Sequence, residues 1–425
     1  MKVTGSIPSV QDSIDILNMY NGMMPQYFDY DLVVYHACRT RALMSPLREA
    51  FEDLTHSKAS TQDMRTELRN WVTEHNHTAL FPPTKTGIGT DQESIEGILA
   101  DERCPRDVRD VLTVFRAYSE LMSARKALFS LLQNPISDKL SCDRHRMIET
   151  SPIWVPQNTG RLGMQKPAIQ NIPRNLQCLQ TVPLGYVYVH ADSGQMEPIT
   201  AISWILKDPL ITKLYYAYMD AYYAYLHYAH FHDTLPTDPS AEITPFEIDD
   251  NLKAMRQTLK TFVNAVMYGS TSNPTNNPIK TSIIKYLGNH PARLAHVRYL
   301  RSILNKGELP RTYFGNPIDI YKSEKLKEEN AYNYDDQVMK LAINNPIQGT
   351  GADLMRYSVR HVTDMLMTNS RKSRIINYVH DAVSLAIYED DFDKVRPHLD
   401  DLVAYEIDGF IPIRQDLQIG RATHE

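Results

Sequence analysis

Apolar residues recur at three- and four-residue spacings, with charges between them, over 9–17, 30–54 and 60–72. That period predicts three helices. Asp29-Tyr30-Asp31 and Ser60-Thr61-Gln62-Asp63 supply helix starts. Phe81-Pro82-Pro83-Thr84-Lys85-Thr86-Gly87 is a break. Thr90-Asp91-Gln92-Glu93 then reads as the capped start of a helix over 94–99, and 108–133 as a long amphipathic helix. Residues 134–186 have a poorer pattern and more Pro, Asn and Gly. Residues 199–230 are helical again, with seven tyrosines between 215 and 228. A Tyr-rich helix is in general a packing surface, and some of its rings could instead line a nucleic-acid path.

Two apolar, β-branched and aromatic runs each deliver an aspartate. The first is Val187-Tyr188-Val189-His190-Ala191-Asp192. The second is Tyr378-Val379-His380-Asp381-Ala382-Val383. Residues 375–379 read as a strand and 382–388 as its return, which puts His380 and Asp381 in the tight connection. Two carboxylates on neighbouring strands can hold two divalent cations a few Å apart, an arrangement suited to phosphoryl transfer. An Asp after an apolar strand is in general a turn residue, so neither run identifies chemistry alone.

Over 252–268 a helix places Arg256, Lys260, Asn264 and Tyr268 at four-residue intervals, hence on one face. Gly269 follows. Two cations a turn apart, in line with an aromatic, suit a triphosphate plus a base. A surface helix with spaced charges would read the same way. A further helix over 338–363 is entered through Asn344-Asn345-Pro346-Ile347-Gln348-Gly349-Thr350-Gly351-Ala352-Asp353. Its small residues permit close backbone approach. A terminal helix near 391–406 and a strand-like tail complete the chain.

Composition narrows the class. The 425 residues are 42% hydrophobic with a net charge of −6, enough for two or three lobes. No apolar run reaches a membrane span, and the N-terminus has no apolar signal segment. The expected location is therefore cytoplasmic, the host cytoplasm if the protein is viral. The four cysteines, Cys38, Cys104, Cys142 and Cys178, include no CxxC pair, which argues for reduced thiols and against a zinc site. Mild acidity does not favour nucleic acid, but residues 251–330 carry 13 Lys/Arg against 5 Asp/Glu.

In this order, these segments resemble the polymerase region of family A DNA polymerases, the bacterial DNA polymerase I type. Thr84-Lys85-Thr86-Gly87 with Thr90-Asp91 is similar to the family's thumb segment. Thr159-Gly160-Arg161-Leu162 and Gln170-Asn171-Ile172-Pro173 resemble its primer-template contact motif. Asp192-Ser193-Gly194-Gln195-Met196-Glu197 resembles motif A. Arg256, Lys260, Tyr268 and Gly269 match motif B. Asn344 to Asp353 resembles the segment before motif C, and Val379-His380-Asp381 motif C itself. One such motif is weak; six in collinear order are strong.

The resemblance implies an α+β right-hand fold with an antiparallel-sheet palm, helical fingers and helical thumb. The implied division is 1–135 for N-terminal helices and thumb, 136–205 for the first part of the palm, 206–335 for fingers and 336–425 for the rest of the palm. It implies a template-directed DNA polymerase adding dNTPs to a primer 3′ end. Two Mg²⁺, with Mn²⁺ able to substitute, would sit on Asp192, Asp381 and the Ser193 carbonyl. Arg256 and Lys260 would grip the phosphates, Lys260 with a catalytic share. Tyr268 would pack under the templating pair, Glu197 would crowd the sugar 2′ position, and Gln195 and Asn264 would complete the nucleotide site. Arg161, Gln170, Asn171, Asn344, Gln348, His380, Thr84 and Lys85 would contact primer-template DNA. The implied partners are that DNA, dNTPs and other replication proteins, and no membrane.

Several positions depart from the family pattern. Ala382 stands where motif C usually has Glu. Pro198-Ile199 follow Glu197 where an Arg is usual. Asn264 holds a position that is commonly Phe or Tyr, and Phe314-Gly315-Asn316-Pro317 lacks a basic run. These changes suggest a divergent viral branch. About 80 residues precede the thumb motif, too few for a proofreading exonuclease, so none is expected. The alternative is a single-subunit phage-type RNA polymerase, whose motif C often has a small residue after His-Asp. A third reading is a degenerate fold kept as a DNA-binding scaffold; the intact aspartates and cations speak against it.

Overall fold

Long helices carry the first third of the chain and short strands interrupt it. The structure, a computed structural model, describes residues 1–4, 6–57, 64–81, 83–84, 87–99, 103–141, 143–231, 243–267, 278–322 and 334–420. In chain order come α1 (Val10–Met23), β1 (Gln26–Asp29), α2 (Tyr30–Thr55), α3 (Met64–Glu74), β2 (Pro83–Thr84), β3 (Gly87–Ile88), α4 (Gln92–Leu99) and α5 (Arg106–Leu132). Then follow β4 (Ile136–Leu140), β5 (Arg146–Thr150), β6 (Ile153–Pro156), β7 (Leu162–Gln165), β8 (Gln180–Thr181), β9 (Tyr186–Ser193), α6 (Met196–Thr200), α7 (Pro209–Tyr218) and α8 (Ala221–Phe231). The remainder is α9 (Asp250–Met267), α10 (Pro278–Asn289), α11 (Pro291–Asn305), α12 (Tyr334–Asn369), β10 (Arg374–Val379), β11 (Ala382–Tyr388), α13 (Phe392–Val395) and β12 (Gln415–Gly420).

The helix starts follow the local chemistry. Ser9 and Asp12 form a reciprocal capping box on α1, and the Asp29 side chain accepts from the Leu32 N–H at the head of α2. Asp91 accepts from the Ser94 N–H at the head of α4. The stretch expected as one helix over 199–230 is instead broken twice. A π-helical turn over Ala201–Leu206 ends at Lys207 with positive φ; Asp208 then caps α7 with Pro209 in its first turn, and Met219 closes α7, again with positive φ. The expected helix near 391–406 is also replaced. Only α13 is α-helical there, and a 3₁₀ stretch over Arg396–Asp401 takes over where Pro397 removes a backbone donor. Residues 134–186, poor in pattern, hold five short strands.

Two antiparallel four-stranded sheets result, ordered β4-β5-β1-β8 and β10-β11-β9-β12. The main core takes Ile14, Leu17 and Tyr20 of α1 together with Val189 and Ala191 of β9 and Leu354 and Val359 of α12. A separate core joins Phe51 of α2, Leu68 and Trp71 of α3, Ile95 of α4 and Val108 and Phe115 of α5. Among the described residues no helix is long and apolar enough to cross a membrane.

The middle of α12 is buried on nearly every side, the pattern of a helix inside a core. Its small residues are there because there is no room. A Cβ on Gly349 would lie 2.8 Å from Ile318 Cδ1, 2.9 Å from Thr312 Cγ2 and 3.1 Å from the Thr159 carbonyl oxygen. One on Gly351 would lie 2.8 Å from Met196 Sδ of α6. The Met196 thioether can swing aside; the Thr159 backbone cannot. Gly349→Ala should therefore cost about 1–3 kcal/mol of overpacking and lower the urea midpoint, whereas Gly351→Ala should cost less. Equal midpoints for the two variants would contradict this ordering.

Candidate active site

Along β9 the residues alternate between faces. Val189 and Ala191 are buried in the core, and Ser193 turns the same way, its hydroxyl donating to the Val403 carbonyl at 2.5 Å. Tyr188, His190 and Asp192 share the other face. β11 pairs Ala382 directly opposite Asp192, and β10 pairs Val379 with Ala382. His380 and Asp381 are left as a two-residue hairpin connection, as the sequence predicted. His380 takes a positive φ of 52° at its first position. The Ser193 N–H donates to the Asp381 carbonyl at 2.8 Å. The pairing register thus holds the backbones of Asp192 and Asp381 side by side.

Burial pushes the Asp381 carboxyl up. Arg161, then its own backbone N–H, His380 and Lys260 pull it part of the way back. Arg161 and Lys260, from two separate motifs, therefore both bear on one carboxylate. The Ser193 hydroxyl is turned away from them, into the core. Asp416 of β12 lies opposite Asp192 on its other side and is exposed. Among the described residues no three His, Cys, Asp or Glu side chains converge on one point.

The Thr159-Gly160-Arg161 loop is positioned from below. The buried Arg356 donates from Nη1 to the Gly160 carbonyl at 2.8 Å and from Nε to the Pro8 carbonyl at 3.0 Å, and it pairs with the buried Asp353. Thr312 adds a hydroxyl donor to Asp353 at 2.6 Å. Burial raises the Asp353 carboxyl, against the pull of Arg356 and Thr312. Gly160 has φ +80°, and a Cβ there would stand 3.0 Å from Arg356 Nη1, so the position needs glycine. The loop then presents Arg161, which pairs with Glu197 of α6; each side chain is 21% exposed.

Arg256 and Lys260 lie a turn apart on α9, as predicted, but in different surroundings. Lys260 is exposed. Arg256 donates from Nε at 2.9 Å and from Nη2 at 2.5 Å to Asp220 Oδ2, and its guanidinium lies 5.3 Å and 5.6 Å from the ring centroids of Tyr222 and Tyr223. Gln195 donates to the same Oδ2 at 2.7 Å and accepts from the Ala221 N–H at 2.8 Å. Tyr222 donates its hydroxyl to Asn264 Oδ1 at 3.3 Å. Burial pushes that hydroxyl up to about 12, so it stays a donor near neutral pH.

The remaining expected DNA contacts separate. Asn344 and Gln348 lie a turn apart on α12, half-buried, and Asn344 Oδ1 is a buried atom with no hydrogen-bond partner. Asn171 and His380 are exposed. Gln170 is turned inward. Its amide donates to the Leu162 and Tyr378 carbonyls at 2.9 and 3.1 Å and accepts from the Met164 N–H at 3.1 Å. It braces β7 against the end of β10. Thr84 is placed only as backbone, in β2 opposite Gly87. Lys85, Tyr268 and Gly269 lie outside the described residues. Asp220, Tyr222 and Arg356 were not anticipated. Asp220 just before a Tyr-rich helix and Asp353/Arg356 at a three-residue spacing were the only signals.

The model of DNA polymerase family A matches residues 41–425. The chain belongs to this family. It is 24% identical over 351 residues to DNA polymerase I of Caldicellulosiruptor bescii, covering 79% of this chain and 38% of that one. It is 23% identical over 325 residues to DNA polymerase I of Pseudomonas aeruginosa, covering 73% and 32%. The chain thus spans about a third of the length of these relatives. The structure is similar to the POL domain of Pol1 from M. smegmatis, solved in complex with DNA primer-template and dNTP. The TM-score is 0.72 at 18% identity, over 97% of this chain and 69% of that one. The fold is therefore the right-hand polymerase fold, α+β with an antiparallel-sheet palm.

The Arg356 network generates a stability prediction. Arg356→Met should leave Asp353 buried without its cation and cost about 3–5 kcal/mol. Arg356→Met with Asp353→Leu should recover part of that loss, because no buried charge is stranded. Urea denaturation measures both; a double variant less stable than the single would contradict the account.

Proposed function

We propose that the chain is a template-directed DNA polymerase that extends a primer 3′ end with dNTPs. The observation that supports this best is the Asp192–Asp381 pair, set by the β9–β11 register, with Arg161 and Lys260 bearing on it. A family fold seen elsewhere with primer-template and dNTP adds to it. On this reading the helices α2 to α5 form the thumb, the sheet of β9 to β12 the palm, and α8 to α11 the fingers.

The donor set is oxygen only: two carboxylates and the Ser193 carbonyl. That set suits Mg²⁺, with Mn²⁺ able to replace it. The chemistry two such ions supply when bound is activation of the primer 3′-hydroxyl and stabilisation of charge on the triphosphate and its leaving pyrophosphate.

The chain's own residues do the rest. Lys260 and Arg256 meet the phosphates and offset charge that develops there. Arg161 holds Glu197 by its carboxylate, so the side chain meant to occupy the sugar 2′ space is fixed in place. Asn344, Gln348, Asn171 and His380 face the primer-template. Such contacts to sugar, phosphate and minor-groove edges suit an enzyme that must accept every sequence. Asn264 stands beside the sugar as a smaller, hydrogen-bonding wall, so sugar selection rests chiefly on Glu197.

Primer extension tests the reading. Asp192→Asn and Asp381→Asn should each lower extension roughly a thousand-fold, since a lost ligand forfeits several kcal/mol of transition-state stabilisation, while primer-template affinity stays nearly unchanged. Either variant retaining a tenth of wild-type activity would remove that aspartate from its role. Wild type that prefers NTPs to dNTPs would replace this reading with an RNA polymerase.

Sugar choice gives a second expected outcome. Glu197→Ala should admit ribonucleotides, because the clash that excludes the 2′-hydroxyl is gone. It should also weaken primer placement, because Arg161 loses its partner. Single-nucleotide incorporation of dNTP and NTP measures this; an unchanged sugar preference would take Glu197 out of sugar selection.

A further inference from the structure

The nucleotide-facing face of α9 is organised by another helix. Asp220 precedes α8 and is 8% exposed. Its Oδ1 accepts the Tyr222 and Tyr223 N–H groups, both at 2.9 Å, which fixes the carboxylate rigidly to the head of the helix. Its Oδ2 takes Arg256 Nε and Nη2 and the Gln195 amide. The carboxylate thus has five donors and no freedom to turn. Arg256 is gripped along one edge only. Of its five N–H groups, those on Nη1 and the second on Nη2 point away from Asp220. The Tyr222 and Tyr223 rings lie against the guanidinium. One turn away from Lys260, Asn264 receives the Tyr222 hydroxyl on its carbonyl oxygen. That bond sets which way the amide faces and leaves its NH₂ to face elsewhere.

From this geometry we infer that the first turn of α8 is a seat for the nucleotide-facing side chains of α9. Asp220 aims Arg256 at the triphosphate, and Tyr222 aims Asn264 at the sugar. Both are positioning residues, acting through Arg256 and Asn264. The inference rests on the polymerase reading above. Its physical basis is entropy. A free arginine has many rotamers, and ordering it when the nucleotide arrives would weaken binding. A guanidinium already held by one edge, with the other open, loses little on binding. Gln195 joins the seat to motif A, two residues from Ser193, so the seat is tied to the strand that carries Asp192.

The test is steady-state incorporation with the full chain on primer-template, varying dNTP. Asp220→Asn keeps a capping oxygen for the helix and removes the charge that holds Arg256. The KM for dNTP should rise about ten-fold, the worth of one charge-assisted contact. The kcat should change less than two-fold, and primer-template affinity should not change. Arg256→Lys keeps the cation but cannot make the two-nitrogen grip. It should raise KM similarly, and adding Asp220→Asn to it should raise KM no further, because the two changes remove one interaction. Tyr222→Phe should leave the dNTP KM within two-fold and shift the ratio of dNTP to ddNTP use. If Asp220→Asn misfolds, Asp220→Ser, which keeps a capping hydroxyl and removes the charge, takes its place in the same comparison. A lowered KM in Asp220→Asn would mean that the carboxylate competes with the triphosphate, and would overturn the seat. So would full additivity of the two α9-seat variants. Wild type that extends primers while these variants match it overturns this inference alone; wild type that does not extend primers overturns the polymerase reading and the seat with it.

Discussion

Everything at the candidate centre depends on the register of β9 against β11. The pairing of Ala382 with Asp192 carries Asp381, one residue earlier, alongside it. A slip by one residue would turn Asp192 to the core and Ala191 to the cleft. The register is pinned from both faces. Val189, Val383 and Leu385 need the core, and the Ser193 N–H needs the Asp381 carbonyl. The apolar requirement of one face thereby sets the charge placement on the other.

The three arginines of the centre are each held by a carboxylate that is not part of the pair. Arg161 is held by Glu197 and Arg256 by Asp220, while the structural Arg356 is held by Asp353. A long cation near two carboxylates would otherwise fold onto them. Pairing each arginine elsewhere leaves its direction set by a second, fixed anion. Arg356 and Asp353 show the extreme of the same arrangement. Both are buried, and their service is to the backbone of Gly160 and Pro8. Removing one partner of such a pair is far more costly than never having had it.

Legibility in the sequence tracked how local each feature is. The His380–Asp381 hairpin was readable because apolar strands with a two-residue gap leave little choice. The close approach at Gly349 was readable because only glycine tolerates it. The Arg256–Lys260 face followed from helical spacing. Strand β1 was not readable: four residues, all buried, between two helices give no alternation. The same holds for β4 to β8, which are two to five residues long. The break at Lys207 was hidden because the π-helical turn before it keeps apolar residues at nearly helical spacing. Asp220 was missed because its partner Arg256 lies 36 residues away, and Arg356 because the Gly160 carbonyl it holds lies 196 residues away. Gln170 was placed correctly on the chain, but its three hydrogen bonds point inward, a fact that spacing cannot reveal.

The sheet also clarifies what Ala382 does. Ala382, Asp192 and Asp416 form one row across β11, β9 and β12. Residues directly opposite in antiparallel strands share a face, with Cβ atoms about 5 Å apart, and like charges so placed repel. A glutamate at 382 would make this row three carboxylates wide, with Asp381 beside it. With alanine the row keeps one neutral flank. The Asp381 carboxyl, already raised by burial, then faces one fewer negative charge, and the cations that act on it, Arg161 and Lys260, are set against fewer anions. Loss of the usual motif C carboxylate therefore lowers the electrostatic cost of folding this sheet without touching either residue of the pair.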